Sequence, residues 1–376
     1  MALPHSQAIR DWMFDIALPW WAANGVDREH GGYVEQITPD GRDAGIAFKR
    51  TRVTARQIYV FSHAHMLGFA PGLEVAQHGI DYLKKAWLGA DKGFARRLTR
   101  EGALLDPTPD LYDHAFALFA LAWHHRATGD RTSRDWLHRT LDYVEGHMRV
   151  PGGEGFWHEL PPTGWRQQNP HMHLTEACLA AFEATGEARF SGLAKELAGL
   201  FTSRLFDLKS RTLAEYFTED LQRAPGDDGR IVEPGHQFEW VWILNACRKQ
   251  LGFQLGPQMR ALAAFAEENG VSSETGVTYN SIRDDGAPLD RGSRTWPNCE
   301  RIKAAIALRE LDGIDPAPMA GSSARVLLDR HLSRMPAGTW IDQFDAEGKP
   351  VAGNVPASTL YHVLLAFAEV LRVSKA

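Results

Sequence analysis

The sequence predicts an all-α fold, an (α/α)6 barrel with short β-hairpins at its pocket end, as a single domain over residues 1–376. Three observations lead there. A hairpin followed by two helices recurs five times, at a repeat of about sixty residues, between one opening helix and a closing hairpin plus helix. Helix pairs of this kind cannot bury both faces alone, so they pack on each other, and six pairs can close into a ring. The second helix of each hairpin-linked pair also opens with polar or aromatic residues and continues apolar. An open solenoid is the competing arrangement, but solenoid repeats are shorter and carry polar end caps, and neither feature is present.

Taken in order, residues 4–23 form an amphipathic helix with Ile9, Trp12, Met13, Ile16 and Trp20 along one side. HGGYVEQITPDGRDA has the alternation and the Asp40-Gly41 turn of a hairpin. Helical runs follow at 51–69 and 72–88, then a hairpin turning at Glu101-Gly102, then helices at 111–128 and 132–148. GGEGFWHELPPTGWRQQ predicts short strands and a turn before helices at 170–184 and 188–205. The stretch 213–232 leads into EPGHQFEWVWILN, where Pro234 and Gly235 break the chain and a helix period begins. Its stripe of His236, Glu239, Trp240, Ile243, Leu244 and Cys247 is a buried face whose first turn is polar, as at the edge of a cavity. After a helix at 257–268, GVTYNSIRDDGAPLD predicts a hairpin, with helices at 296–311 and 319–335 behind it. TWIDQFDAEGKP predicts the last hairpin and 356–373 the last helix.

Composition narrows the function classes. A net charge of -6 with no basic stripe argues against a nucleic-acid partner. No apolar run reaches membrane-spanning length, and the stretch MALPHSQAIRDWMF lacks the pattern of a signal peptide. Cys178, Cys247 and Cys299 are widely spaced inside helix patterns, which suits buried thiols in a reducing cytoplasm rather than a disulfide frame. The excess lies in 12 Trp and 16 His, apolar platforms and groups that titrate near neutrality, a combination used by sugar sites.

The residues that could do chemistry stand at the starts of the second helices: Arg52, Tyr112, His173, His236, Trp296 with Glu300, and His362. In a barrel these starts ring one pocket, and their unpaired N–H groups favour an oxyanion. His173 with Glu176 repeats the spacing of His236 with Glu239, so each pair shares a helix face. Such pairs, and His362 among apolar neighbours, also occur as satisfied core residues. Trp157, Trp240 and Trp296 read equally as sugar-stacking faces or core. No HExxH or CxxC supports a metal, and no Gly-rich phosphate loop, nicotinamide fingerprint or nucleophile elbow occurs, so neither metal nor cofactor is expected. Asp106, Asp110 and Asp113 offer the paired carboxylates of an inverting glycosidase, although Asp110 also reads as the cap of the helix from Leu111.

The strings KRTRVTARQIYVFSHA, NPHMHLTEA, EPGHQFEW, RTWPNCERIKAA and VPASTLYH, in that order along nearly the whole chain, resemble the blocks of the N-acylglucosamine 2-epimerase superfamily. That resemblance implies metal-free interconversion of aldoses with ketoses or with their 2-epimers on an (α/α)6 barrel. It places His236 and His362 as the catalytic pair and His173 as a third pocket histidine. It also implies that Arg52, Tyr112, Asn169, Glu239, Trp296 and Glu300 contact sugar. Isomerising members carry an arginine before the fourth second helix, for which Arg230 is the candidate here.

The chemistry agrees with the inventory. Abstraction of the hydrogen on carbon 2 of an open-chain aldose needs a neutral base near pH 7, and a cyclic sugar needs a second acid–base group to open it. Carbon 2 is assigned to His362 and ring opening to His236, oriented by Glu239, with Arg52 and helix termini facing the enediolate. The expected activity is mannose–fructose isomerisation of a free hexose. The alternatives are a 2-epimerase acting on mannose, cellobiose or an N-acylhexosamine, a non-catalytic sugar-binding protein, and a glycoside hydrolase.

Overall fold

The hairpin-plus-two-helices rhythm is present throughout the computed structural model, which describes residues 3–351 and 353–374; Met1, Ala2, Ala352, Lys375 and Ala376, at either end of the predicted domain and in its last hairpin, lie outside the described residues. Helix α1 runs through Ser6–Asp11, a π-helical stretch Trp12–Ala17 and Leu18–Asn24. The others are α2 (Thr51–Met66), α3 (Gly72–Leu83), α4 (Leu111–Thr128), α5 (Arg131–Tyr143), α6 (Gln168–Thr185) and α7 (Ala188–Leu200). They continue with α8 (Pro234–Leu251), α9 (Gly256–Asn269), α10 (Thr295–Asp312), α11 (Ala317–Val326) and α12 (Leu360–Ser374).

The even-numbered helices are the predicted second helices, and each is buried all round near its start. The buried runs are 53–62, 113–122, 170–179, 234–241, 297–307 and 359–368. The residue just before four of them, Arg52, Tyr112, Asn169 or Trp296, is partly exposed. A helix surrounded by protein except at its first turn presents that turn to whatever binds there. By contrast α5 buries only one stripe, Ser133, Leu137, Thr140, Leu141 and Tyr143.

Backbone bridges repeat with the helices. Val26–Tyr33, Trp87–Phe94, Arg149–Phe156 and Val271–Thr278 pair across the same separation, as do Phe206 and Leu213. The fourth residue of the following even helix then takes up a backbone N–H from that bridge. His114 Nε2 accepts from Phe94 at 2.9 Å, His171 Nε2 from Phe156 at 3.0 Å, Gln237 from Leu213 at 3.3 Å and Asn298 from Thr278 at 3.0 Å. Gly93 and Gly155 precede the first two donors at φ 66° and 71°. A Cβ on either would stand 2.4 or 2.8 Å from the histidine nitrogen, so only glycine serves there.

Packing resolves the chain into two compact units interleaved in sequence. The first holds Leu18–Leu200 and Pro356–Tyr361, with α2, α4 and α6 side by side and α3 and α7 against them. Its sheet orders Phe48–Arg50, Arg97–Thr99 and Leu104–Asp106 antiparallel, the last two joined by the expected turn, where Gly102 has φ 96°. The second unit holds residues up to Ala17, Phe201–Val355 and His362 onward, with α8 and α10 in contact and α9 and α11 beside them. There the predicted hairpin pairs Ser281–Arg283 with Pro288–Asp290, and Ile231–Val232 adds a third strand. The stretch 152–168, predicted as short strands and a turn, contains a short strand at Arg166–Gln167, while Phe156 and Glu159 make single bridges to Arg149 and Asp110 rather than pairing within the stretch. All three cysteines, Cys178, Cys247 and Cys299, are buried. No helix among the described residues is long and apolar enough to cross a membrane.

Candidate active site

In the second unit the starts of α8, α10 and α12 bring His236, Trp296, Glu300 and His362 together. Gly235 makes the first contact possible: a Cβ there would lie 2.5 Å from the Trp296 ring. The indole sits with its centroid 5.0 Å from the His236 ring and 5.5 Å from the His362 ring, tilted by 37° and 38°. Each histidine has a carboxylate at Nδ1. Glu215 Oε2 is 2.9 Å from that nitrogen of His236, with Glu233 Oε2 at 3.7 Å, and Glu300 Oε1 is 2.7 Å from that of His362. A carboxylate on Nδ1 fixes the tautomer and makes Nε2 the nitrogen that exchanges protons. Burial works against a charge on His236, but Glu215 and Glu233 outweigh it and push the ring up to about 9. Behind Glu300 lies Lys303, fully buried, its Nζ 2.6 Å from Glu300 Oε2, 3.8 Å from Glu239 Oε1 and 4.5 Å from the centre of the Trp242 ring. The Glu239 carboxylate accepts no hydrogen bond among the described residues.

In the first unit the starts of α2, α4 and α6 supply a different set. Asp113 accepts from Arg52 N and Nε at 2.8 Å and from Nη2 at 3.0 Å, and Asp110 takes the same Nη2 at 2.6 Å. One turn on, Arg56 is buried with its guanidinium over Phe116, Tyr361 and Tyr112, at 4.2, 5.2 and 5.5 Å. It donates to Tyr112 Oη at 2.5 Å, and no carboxylate among the described residues pairs with it. His173 repeats the carboxylate arrangement: Glu176 Oε2 is 3.0 Å from Nδ1, and the Tyr361 hydroxyl donates to both Glu176 oxygens at 2.7 Å. The His173 ring packs on Phe116 at 4.6 Å and edge-on to Tyr112 at 4.9 Å. Asn169 is partly exposed, with an Oδ1 that finds no partner among the described residues. His114 and His171, pushed down to about 4 mainly by burial, are neutral struts.

Several sequence expectations change in detail. His236 is held by Glu215, not by Glu239, which lies toward Lys303 instead. Trp240 is core, fully buried with its ring 4.4 Å from that of Phe201. Arg230 spends its guanidinium on Asp284 and Asp285 at 3.0 and 2.5 Å on the outside of the hairpin. The suspected glycosidase carboxylates are committed to arginines, Asp106 to Arg97 and both others to Arg52, and Asp110 caps α4 by accepting from Tyr112 N at 2.8 Å. Glu215, Lys303, Arg56 and Tyr361 escaped the sequence reading. Arg56 and Lys303 carried a signal, each one helical turn from a residue already singled out. Glu215, in an irregular stretch, carried none.

Two groups in the second unit have ligand atoms within 4.8 Å of one another, Glu239–Glu300–His362 and Glu215–Glu233–His236. A protein cation already faces each: Lys303 the first, and Arg294 the second, 3.3 Å from Glu233. A divalent ion would have to displace an ammonium or compete with a guanidinium, so these donor sets fit proton transfer better than metal binding.

Against known proteins, a family model described as N-acylglucosamine 2-epimerase (GlcNAc 2-epimerase) matches residues 24–366. A mannose-6-phosphate isomerase of Rhizobium meliloti is 36% identical over 380 residues, covering 97% of each chain. The structure of cellobiose 2-epimerase from Spirochaeta thermophila aligns with a TM-score of 0.86 at 26% identity, over 98% of this chain and 96% of that one. A crystal structure of D-mannose isomerase aligns with a TM-score of 0.90 at 23% identity, over 98% of both. The chain thus has the all-α, (α/α)6-barrel fold that its repeats predict.

Proposed function

We propose that this chain, which belongs to the N-acylglucosamine 2-epimerase family, interconverts a free aldose and its ketose, with mannose and fructose as the pair, as one catalytic domain. Its relatives are sugar isomerases and epimerases, and so is this enzyme. The observation that carries the finer reading is the unequal setting of the two histidines beside Trp296. His236 faces two carboxylates and stays an imidazolium up to about pH 9, which suits an acid. His362 is hydrogen-bonded to Glu300 with Glu239 close by, and the Lys303 ammonium faces both carboxylates, which suits a base.

His236 gives a proton to the ring oxygen as the ring carbon–oxygen bond breaks, and the proton leaving the anomeric hydroxyl passes back to His236, which opens the hexose and restores the imidazolium. His362 takes the carbon-2 proton, and the electron pair moves into an enediolate. Return of that proton to carbon 1, with the carbon-2 hydroxyl proton passing to the carbon-1 oxygen, gives the ketose with no net change in protons or electrons. The Trp296 face suits the apolar side of a sugar. We assign oxyanion binding to Arg56 rather than Arg52, because two aspartates already neutralise Arg52. His173, Tyr112 and Asn169 keep the sugar-handling roles implied by the family. Four carboxylates, Glu215, Glu233, Glu239 and Glu300, surround the second unit's pair of histidines against Lys303 and Arg294, a balance that suits a neutral sugar.

Two other readings have specific support. The placement of His236 and His362 around one indole suits proton exchange at both faces of carbon 2, which is epimerisation. The name of the Rhizobium relative points to a phosphorylated sugar. Chromatography of mannose, mannose 6-phosphate and cellobiose after incubation with EDTA-treated enzyme separates these outcomes. Fructose from mannose is expected. Glucose would mean an epimerase, turnover of the phosphate alone a sugar-phosphate isomerase, and glucose released from cellobiose a hydrolase. Activity lost to EDTA and restored by Zn²⁺, Mn²⁺ or Co²⁺ would overturn the metal-free mechanism.

A further inference from the structure

Lys303 stands outside every role assigned so far. It lies on the inward face of α10, fully buried, where a lysine normally extends its ammonium to water. Its Nζ is 2.6 Å from Glu300 Oε2, and Glu300 Oε1 is 2.7 Å from His362 Nδ1. Ammonium, carboxylate and imidazole thus stand in successive close contact. On its other side Nζ is 3.8 Å from Glu239 Oε1, and the Trp242 ring covers it at 4.5 Å.

We propose that Lys303 is a positioning residue that keeps the Glu300–His362 pair from taking up a proton at neutral pH, so that His362 remains a base. This rests on the isomerase reading of His362. Without the ammonium, two buried carboxylates, Glu239 and Glu300, stand beside one imidazole. The cheapest relief is a proton on the pair. On His362 it makes an imidazolium, and on Glu300 it removes the acceptor that fixes the tautomer. Either way the base is lost, and the pair titrates as a unit at higher pH.

Among the described residues of the second unit, the other ionisable groups facing these contacts do not take over. From α8 come Glu239 and, at the first turn, His236, already an imidazolium beside two carboxylates of its own. On α10, Cys299 is fully buried, and burial together with Glu300 and Asp342 keeps its thiol protonated against the pull of Lys303. From α12 comes His362 itself.

The test compares wild type, Lys303→Met, Lys303→Arg and the double variant Glu239→Gln/Lys303→Met. Sugar turnover (kcat/KM) is followed from pH 5.5 to 9.5, and histidine-ring NMR titration runs in parallel, with His362 identified by its absence in His362→Asn. Lys303→Met should move the acid limb up by about one unit or more, a deficit of roughly tenfold at pH 6.5 that closes above pH 8.5. The His362 ring should titrate higher by the same amount. Lys303→Arg should keep the wild-type limb, and the double variant, with one negative charge fewer, should recover part of the shift even if the single variant folds poorly. Equal loss at every pH with an unmoved limb and an unmoved ring titration would overturn the proposal and leave Lys303 a packing residue. If the wild type turns over no sugar, the isomerase reading fails, while the ring titration still decides whether Lys303 sets the proton affinity of His362.

Discussion

Replacing Glu215 by glutamine tests the acid half of the mechanism most directly. The displacement of His236 from 6.5 to about 9 corresponds to about 3 kcal/mol of preference for the imidazolium. Glu215 at 2.9 Å and Glu233 at 3.7 Å supply it against the cost of burial. Glutamine keeps the shape and an oxygen for Nδ1–H but removes the nearer charge, and one close opposite charge is worth about 1–3 pKa units. His236 should fall to between about 6 and 8. With mannose as substrate and fructose formation as the readout, wild-type kcat should hold until about pH 9, where the acid is lost. In Glu215→Gln the decline should begin about one to three units earlier, with rates returning toward wild type as pH falls below the lowered value. Stability follows the same linkage: because the folded ring binds its proton more tightly than the unfolded 6.5, its contribution is complete below pH 6.5 and disappears as pH rises through about 9. The melting temperature should therefore drop across that window, and drop less in the variant. An unmoved basic limb, or an equal loss at all pH values, would refute His236 as the acid.

Two further outcomes separate roles that neighbouring residues share. His362→Asn should abolish both turnover and solvent-deuterium entry at carbon 2, a loss on the order of 10²–10⁴; exchange that persists would move the base elsewhere. Arg52→Met should act on folding, because it leaves the fully buried Asp113 uncompensated, at about 3–5 kcal/mol by chemical denaturation. Arg56→Met should leave the melt nearly unchanged and lower kcat by on the order of 10²; the reverse pattern would exchange the two assignments.

The helix starts were legible in the sequence because their determinants are local. Asp110 and Gly129 bracket α4 at the predicted residues, one accepting from Tyr112 N and the other closing the helix at φ 70°. The hairpin turn at Glu101-Gly102 was legible for the same reason. What failed depends on partners distant in sequence. The 152–168 segment is pinned by His171 and Asp110 rather than by a hairpin of its own. Arg52 and Arg56 look alike on one helix face, and only Asp110 and Asp113, arriving from the next repeat, decide which guanidinium is neutralised. Trp240 and Trp296 were equally ambiguous. The difference is Gly235, whose missing side chain lets the Trp296 ring lie beside His236. A lysine in a buried stripe reads as a solvated charge, so Lys303 passed unnoticed.

The second unit is assembled from both ends of the chain. Leu3 N–H donates to Ser374 Oγ at 3.1 Å, and Trp12 sets its edge on Phe367 at 5.8 Å. Joining such distant segments costs little more than joining near ones, since the closure penalty grows only logarithmically with loop length. It does impose an order on biosynthesis. Helices α2 to α7 leave the ribosome as one uninterrupted run and can settle while translation continues. The proposed catalytic pair has no such head start: His236 and the Glu300–Lys303 pair wait for an imidazole carried by α12. Until it arrives, the apolar side of α1 has no Phe367 to cover it, so an arrested chain is both inert and marked by exposed tryptophan for the machinery that removes unfinished proteins.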